Sequence, residues 1–213
     1  MRLLLTSGGI TNREIADSLF SLTDERPPTE VSIAVIPTAA NVEEGNKKWF
    51  VEQNFTNFWK HGYDNVDIVD ISAPGVDWRN RLTGVDVVSV SGGNTFHLLD
   101  QYRKTGFDDW LRQNLDRKVY LSVSAGTIVM APNIGVADIE PADPNLPGID
   151  DLTGVGAVPF EIEPHCSGER FQVIERYAKD RPNPVYAIDD QCAIQVVDDE
   201  ATVVGGGEWQ LYS

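Results

Sequence analysis

The chain has 213 residues, of which 41% are hydrophobic and 23% are charged, and this composition is ordinary for a folded globular protein and excludes a mainly disordered one. Its formal net charge of −16 disfavours binding to nucleic acid or to an anionic membrane, because the surface field repels phosphate groups. The length allows one large core, and we expect residues 1–213 to form one domain.

Short runs of Val, Ile and Leu alternate with longer segments of helical periodicity, a pattern typical of βαβ units around a mostly parallel sheet. In the first part of the chain, strands are predicted at residues 3–5, 31–36, 66–71, 85–90 and 119–123. Helices are predicted at residues 12–22, 43–59 and 94–115. The last of these should break near Gly106, because glycine favours a helix end over a helix interior.

Residues 132–156 are rich in Pro, Asp and Gly and carry no periodic pattern. Long irregular segments inside compact domains are often functional loops, so we expect this one to border the active site. After this loop, a helix is predicted at residues 168–178 and strands at 185–188, 192–197 and 202–204, with a turn at 198–200.

The segment Tyr120-Leu-Ser-Val-Ser-Ala-Gly-Thr-Ile-Val-Met130 predicts a strand, a sharp turn and a helix, with Ser124 on the turn. The small residues Ser122 and Gly126 flank the turn, where the neighbouring chain passes close by. Ser124 would project at the carboxyl end of the strand, where open α/β sheets bind ligands and where the next helix directs its free N–H groups. This position favours a nucleophile; a compact turn with a capping serine is the alternative.

A serine nucleophile needs a base, which is usually a histidine, and the chain has three histidines. His61 lies at a predicted helix end and His97 inside a predicted helix, so surface or packing roles explain them better. His165 lies at the end of a predicted strand directly after a proline. We therefore predict His165 as the base, an exposed loop histidine being the alternative.

A third group should hold the imidazole in the right tautomer, and the loop between Ser124 and His165 is where we look for it. Asp138, Glu140 and Asp143 are the candidates, and their spacing alone does not choose between them. The pair Gly92-Gly93 follows one predicted strand and precedes a helix, so its N–H groups are candidate oxyanion donors. A tight strand–helix turn is the alternative reading of this glycine pair.

Gly-Gly-Asn-Thr-Phe at residues 92–96, Ser-Ala-Gly at 124–126 and Pro-His at 164–165, in this order, resemble the peptidase E (aspartyl dipeptidase) family over nearly the whole chain. The resemblance implies an α/β three-layer sandwich with a mostly parallel central sheet, of the flavodoxin-like or class I glutamine amidotransferase-like kind. It also implies a Ser-His-acid triad and an oxyanion hole made by the N–H groups of Gly93 and Ala125.

The family's aspartate falls near Ile139, which Asp138 and Glu140 flank here, and some relatives resemble a Ser-His-Glu arrangement. We choose Glu140 as the acid, because a longer side chain can span a displaced loop, and Asp138 is the alternative. The resemblance further implies substrate-binding roles for Asn94 and for Arg170, which is aligned with the arginine that binds the N-terminal aspartate of the substrate. Arg170 could instead be a surface residue paired with an acid.

These features predict a serine peptidase that hydrolyses small peptides, preferably dipeptides with N-terminal Asp, through an acyl-enzyme on Ser124. The alternatives are a cyanophycinase-like enzyme, another peptidase E relative without Asp specificity, and a non-catalytic ligand-binding module on the same fold. A small peptide is the expected partner, whereas nucleic acid and membranes are not; both a monomer and a homodimer fit the sequence.

The cysteine content and the N-terminal sequence predict a cytoplasmic protein. Cys166 and Cys192 stand far apart, without the multiple pairs that staple small secreted domains. The three leucines near the N-terminus are too short a run for a signal-peptide core or a membrane span. Cys166 has no Cys or His at metal-ligand spacing, and neither a metal nor a cofactor is expected.

Overall fold

Ten strands and eight α-helices alternate along the chain in the computed structural model, which describes residues Met1 to Ser213. The strands are β1 (Arg2–Thr6), β2 (Ile33–Ile36), β3 (Val66–Ile68), β4 (Val87–Val90), β5 (Val119–Val123), β6 (Glu161–Glu163), β7 (Val185–Ile188), β8 (Cys192–Val197), β9 (Glu200–Gly205) and β10 (Trp209–Tyr212). The helices are α1 (Arg13–Leu22), α2 (Lys48–Val51), α3 (Asn57–Lys60), α4 (Trp78–Thr83), α5 (Thr95–Thr105), α6 (Phe107–Asn114), α7 (Ala125–Ile128) and α8 (Arg170–Ala178).

Seven strands form the central sheet in the order β3-β2-β4-β5-β1-β8-β9. The five strands from β3 to β1 pair in parallel, and β8 and β9 continue the sheet in antiparallel pairing. Successive side chains of a strand point to opposite faces, so Leu3 and Leu5 enter one core and Leu4 enters the other. Because helices pack on both faces, the predicted three-layer α/β arrangement with a mostly parallel sheet is confirmed.

Capping residues define the ends of the main helices. The side chain of Asn12 accepts the N–H of Ile15 at 3.0 Å and starts α1. Gly106, with φ of 70°, ends α5 and directs its N–H to the carbonyl of Tyr102. The predicted break near this glycine is therefore confirmed, and α6 begins at the next residue.

The predicted helix at residues 43–59 is shorter and less regular than its periodicity indicates. It begins at Lys48, and a π-helical turn at Glu52–Thr56 separates α2 from α3. Asn54 is buried in this turn, and its side-chain amide donates to the carbonyl of Phe50 at 2.8 Å. Widening one helical turn is too small a change for apolar periodicity to reveal.

A second sheet, in the order β10-β7-β6, was not predicted as a separate layer. All three of its strands are only three or four residues long, and β10 exposes Trp209 and Leu211, so β10 carries no clear burial pattern. α4 was also not predicted. The longest helix, α5, has 11 residues, and none of the helices combines the length and apolar character needed to cross a bilayer.

The elbow helix α7 packs tightly on β4, which leads to a stability prediction. A Cβ atom at Gly126 would lie 2.6 Å from the carbonyl oxygen of Val90. Gly126→Ala should therefore lower the free energy of unfolding in urea by about 1–3 kcal/mol, because the added methyl overpacks this contact. Gly84→Ala is the matched control, since its Cβ would meet no atom within 4 Å; it should change stability by less than about 0.5 kcal/mol. Equal effects of the two substitutions would contradict this account.

Candidate active site

Ser124 lies on a strained turn between β5 and α7. Its backbone has φ of 51° and ψ of −110°, outside the regions that residues with a side chain normally occupy. The N–H of Ser124 donates to the carbonyl of Thr6 at 3.1 Å, and the hydroxyl of Thr127 donates to the same oxygen at 2.7 Å. The structure thus has the predicted strand–turn–helix geometry, with Ser124 at its apex.

A pocket of about 350 Å³ opens beside Ser124. It is lined by Thr95, Ser124, Ile128, Val136, Ala137, Pro141, Asp143, Glu163, Pro164, His165 and Arg170. Two predicted site residues that are 41 positions apart, Ser124 and His165, therefore meet at one cavity. The irregular loop after residue 131 supplies part of the wall, as predicted, whereas His61 and His97 are not among the lining residues.

His165 is held by Asp190 and Ser7. Its ring Nδ1 lies 2.5 Å from Oδ1 of Asp190. The backbone of His165 has φ of 56°, and its N–H donates to the hydroxyl of Ser7 at 2.7 Å. That hydroxyl donates in turn to Oδ1 of Asp190 at 2.6 Å. The hydrogen bond from His165 lowers the pKa of Asp190, so this carboxyl is ionised at neutral pH. An ionised Asp190 accepts a hydrogen bond from the Nδ1–H of His165 and so holds the proton on Nδ1, which leaves Nε2 as the proton acceptor.

The expectation that Glu140 or Asp138 orients His165 does not match this geometry. Both residues are exposed, and the contact of Glu140 is made by its backbone carbonyl, which accepts from Arg170. Asp143 lines the pocket, but its carboxylate accepts the N–H of Thr95 at 2.8 Å. The carboxylate at the imidazole is instead that of Asp190, which follows β7.

Gly93 provides a backbone donor near Ser124. Its φ is 133°, and a Cβ here would overlap the carbonyl of Ala39, so no other residue fits this position without a shift. The N–H of Gly93 has no acceptor within the chain. Ala125 is the first residue of α7, where helical N–H groups lack an intrahelical acceptor. Gly93 and Ala125 follow Gly92 and Ser124, which lie in contact, since a Cβ at Gly92 would be 3.1 Å from Cβ of Ser124.

The predicted substrate-binding role of Asn94 does not match its contacts. Its side chain is fully buried; Oδ1 caps α5 by accepting the N–H of His97 at 2.8 Å, and Nδ2 donates to the carbonyl of Pro144 at 2.9 Å. Together with the hydrogen bond that the N–H of Thr95 donates to Asp143, this contact ties the loop after Pro141 to the start of α5. Asn94 shapes the pocket wall and is not one of its lining residues.

Arg170 lies in the pocket wall, where it pairs with Glu163. Its Nε donates to Oε1 of Glu163 at 2.6 Å, Nη1 donates to the carbonyl of Glu140 at 2.6 Å, and Nη2 donates to that of Ile139 at 3.2 Å. Arg170 is thus paired with an acid, as in the alternative interpretation, but its side chain is only 17% exposed and does not lie at the open surface. Burial raises the pKa of Glu163 to about 7, although the charge of Arg170 acts in the opposite direction.

Sequence reasoning missed Asp190, Ser7 and Glu163. Asp190 follows a predicted strand at its carboxyl end, as Ser124 does, and this position was the available signal. Ser7 lies in the same position after β1. No group of three or more His, Cys, Asp or Glu side chains is arranged to hold a metal ion.

Comparison with known proteins shows which family this chain is similar to. The model of peptidase family S51 matches residues 3–204. An uncharacterised peptidase of Pasteurella multocida is 31% identical over 182 residues, which are 82% of this chain and 85% of the relative. Peptidase E of Streptomyces coelicolor is 30% identical over 154 residues, which are 65% of this chain and 60% of the relative.

Solved structures show the same fold. A Listeria monocytogenes protein provisionally named as a peptidase E superposes with a TM-score of 0.76 at 23% identity, covering 97% of this chain and 98% of the other. A peptidase from an acI-B1 actinobacterium superposes with a TM-score of 0.64 at 15% identity, covering 98% of this chain and 88% of the other. With a family match over nearly the whole length, the chain belongs to peptidase family S51 and is a serine-type peptidase.

Proposed function

We propose that the protein hydrolyses short peptides through an acyl-enzyme on Ser124, with His165 as general base and Asp190 as the acid that orients it. The observation that carries this proposal is the pairing of Nδ1 of His165 with Asp190 at the edge of the pocket that Ser124 lines. This arrangement replaces Glu140 in the predicted triad. It also counts against a non-catalytic binding module, which would need no strained serine and no aligned imidazole.

The chemistry follows from these contacts. Nε2 of His165 takes the proton of the Ser124 hydroxyl as the oxygen attacks the scissile carbonyl. The C–N bond then breaks, and the leaving amine takes this proton from His165. Water then attacks the resulting ester while His165 accepts its proton. The bond between the acyl carbon and Oγ of Ser124 breaks, His165 returns the proton to Oγ, and the carboxylic acid leaves. Asp190 stabilises the imidazolium formed in each half-reaction.

The negative oxygen of each tetrahedral intermediate needs donors at the elbow. The N–H groups of Gly93 and Ala125 are our candidates, since the first has no acceptor within the chain and the second begins α7. Donors of this kind typically contribute a factor of about 10²–10³ each to turnover.

The pocket supports short peptides as substrates but does not support a preference for N-terminal Asp. A volume of about 350 Å³ is at the small end of ligand pockets and suits one or two residues. An Asp preference would need a free guanidinium, whereas Arg170 already donates to Glu163 and to two carbonyl groups. A peptidase E relative without Asp specificity therefore fits this pocket best. We also propose the cytoplasm as its location, since both cysteines are free thiols.

Removing the Ser124 hydroxyl tests the nucleophile. Ser124→Ala should lower kcat for dipeptide hydrolysis by at least about 10³-fold, because members of a triad act as a unit. A fluorophosphonate should label the wild-type protein once, at Ser124, as read by peptide mass spectrometry. Ser21→Ala, at an exposed position on α1, is the control and should keep both activity and labelling. Full activity in the Ser124→Ala variant would exclude this mechanism.

The choice of acid is tested by two amide substitutions. Asp190→Asn should lower kcat/KM by about 10²–10⁴-fold, because an amide no longer stabilises the imidazolium or selects its tautomer. Glu140→Gln should change kcat/KM less than twofold, since its carboxylate is exposed and its contact is made by the backbone. Circular dichroism would verify that both variants are folded. The reverse ranking of the two variants would return the acid role to Glu140.

The hydrogen bonds that the Arg170 guanidinium already makes lead to a prediction about which dipeptides are cleaved. Asp-Phe and Ala-Phe should be hydrolysed with kcat/KM values within about threefold of each other, because no free guanidinium is available to bind the aspartate side chain. Chromatographic measurement of released phenylalanine gives both rates. If Asp-Phe were cleaved more than tenfold faster, Arg170 would have to leave Glu163 when substrate binds.

A further inference from the structure

The pair that His165 forms with Asp190 is open to solvent. The side chain of His165 is 44% exposed, and that of Asp190 is 55% exposed, whereas the aspartate of a typical Ser-His-Asp triad is buried. An exposed pair of this kind contributes at most about 1 kcal/mol, because water screens it and because holding two mobile side chains in one geometry costs entropy. The 2.5 Å contact between the two side chains therefore needs support from elsewhere in the structure.

Ser7 is the buried member of this hydrogen-bond network. Its side chain is fully buried, and its hydroxyl donates to Oδ1 of Asp190 at 2.6 Å while it accepts the backbone N–H of His165 at 2.7 Å. Oδ2 of Asp190 has no hydrogen-bond partner within the chain, so without Ser7 the carboxylate would be held by His165 alone. One hydroxyl thus contacts both members of the exposed pair.

The Ser7 hydroxyl has one proton, and the geometry decides which acceptor receives it. Its oxygen lies 3.5 Å from Nδ1 of His165 but 2.6 Å from Oδ1 of Asp190. Nδ1 already carries the proton that it donates to Asp190, so it cannot accept a hydrogen bond from Ser7. The Ser7 proton therefore goes to Asp190, and two donors keep the same carboxylate oxygen turned toward the imidazole.

Ser7 is itself fixed by the central sheet. It follows β1 directly, and its backbone N–H donates to the carbonyl of Cys192, the first residue of β8, at 3.4 Å. The next residue, Gly8, lies so close to Asp190 that a Cβ there would be 3.1 Å from Cβ of Asp190. The hydroxyl of Thr11 donates to the backbone carbonyl of Asp190 at 2.7 Å. The segment after β1 thus holds both the backbone and the carboxylate of the acid.

We infer that Ser7 is a positioning residue for the hydrolysis, because its buried hydroxyl holds the Asp190 carboxylate against the imidazole and keeps an exposed pair aligned with Ser124. This inference rests on the proposed function, since Ser7 acts through the acid and the base and does not touch the substrate. Ser7 forms and breaks no covalent bond. A misplacement of about 1 Å in catalytic machinery can lower a rate by about 10²-fold, which is the scale of effect that the Ser7 hydroxyl prevents.

Removing the hydroxyl tests this role. Ser7→Ala should lower kcat for Ala-Phe by about 10–100-fold with KM changed less than threefold, because alignment of the base depends on Ser7 and substrate binding does not. A fluorophosphonate should label Ser124 of this variant more slowly by a similar factor, since the probe reacts with the nucleophile that His165 activates. Wild-type kcat in folded Ser7→Ala would overturn the inference.

A double-mutant cycle distinguishes positioning of the acid from a merely structural role. In the Asp190→Asn background the pair that Ser7 aligns is already lost, so adding Ser7→Ala should lower kcat less than threefold further. Equal fold-losses from Ser7→Ala in the wild-type and Asp190→Asn backgrounds would overturn the inference, because independent effects on the free energy of activation are additive.

Ser7→Cys replaces Ser7→Ala in these measurements if circular dichroism shows that the alanine variant is unfolded. A thiol has a similar shape but is a weak hydrogen-bond donor, so Ser7→Cys should lower kcat at least about fivefold with KM unchanged. Wild-type kcat in this variant would then overturn the inference.

Ser18→Ala is the matched control. Ser18 is a buried serine on α1 whose hydroxyl donates to Oε1 of Gln195 at 3.1 Å, and it does not line the pocket. Its substitution should leave kcat within about twofold of wild type even if it lowers stability. A loss of kcat equal to that in Ser7→Ala would show a general response to losing a buried hydroxyl, which would contradict the positioning role.

The activity of Asp190→Asn alone separates failure of this inference from failure of the proposed function. If Asp190→Asn loses activity as proposed and Ser7→Ala does not, the triad stands and only the role of Ser7 is excluded. If Asp190→Asn keeps wild-type activity, the acid lies elsewhere, and positioning through Asp190 is excluded together with the proposed triad.

Discussion

The carboxyl end of β1 is the point to which the separate segments of the active site are tied. The carbonyl of Thr6 accepts the N–H of Ser124, and the hydroxyl of Ser7 accepts the N–H of His165 and donates to Asp190. This is possible because β1 lies between β5 and β8 in the central sheet, parallel to one and antiparallel to the other. The elbow after β5 and the turn before β8 therefore reach the same edge of the sheet as the end of β1.

These bonds also explain how two strained residues persist in one pocket. Ser124 and His165 both have positive φ, a conformation that costs a non-glycine residue about 1–3 kcal/mol. In each case the backbone N–H of the strained residue donates to a fully buried partner, Thr6 or Ser7. Such bonds are most favourable where water cannot compete, so the buried end of β1 offsets strain that an exposed loop would relax. The conformations of the nucleophile and the base thus depend on one strand.

The second sheet and the segment from Arg170 to Arg181 place charged groups in the interior in a repeated arrangement. Glu161 and Glu163 lie two residues apart on β6. Glu161 pairs with Arg181, and Glu163 pairs with Arg170. Buried charges are tolerated when they are paired and hydrogen-bonded, and Glu161 meets this condition at both oxygens through Arg181 and Tyr177. Glu163 meets it at one oxygen only, because its other side borders the pocket.

Local pattern by itself determined much of this protein: the alternation of strands and helices, the break at Gly106, the sharp turn at Ser124 and the proximity of its pocket to the loop after residue 131. Each depends on neighbours within a few residues, whose periodicity, turn chemistry and capping can be recognised in the sequence. Only the tertiary structure decided which carboxylate contacts His165 and whether the guanidinium of Arg170 is free to bind a ligand. Asp190 and Glu163 reach their partners through strand pairing and helix packing between distant segments, and because many acids in this chain have similar local surroundings, only the folded geometry separates them.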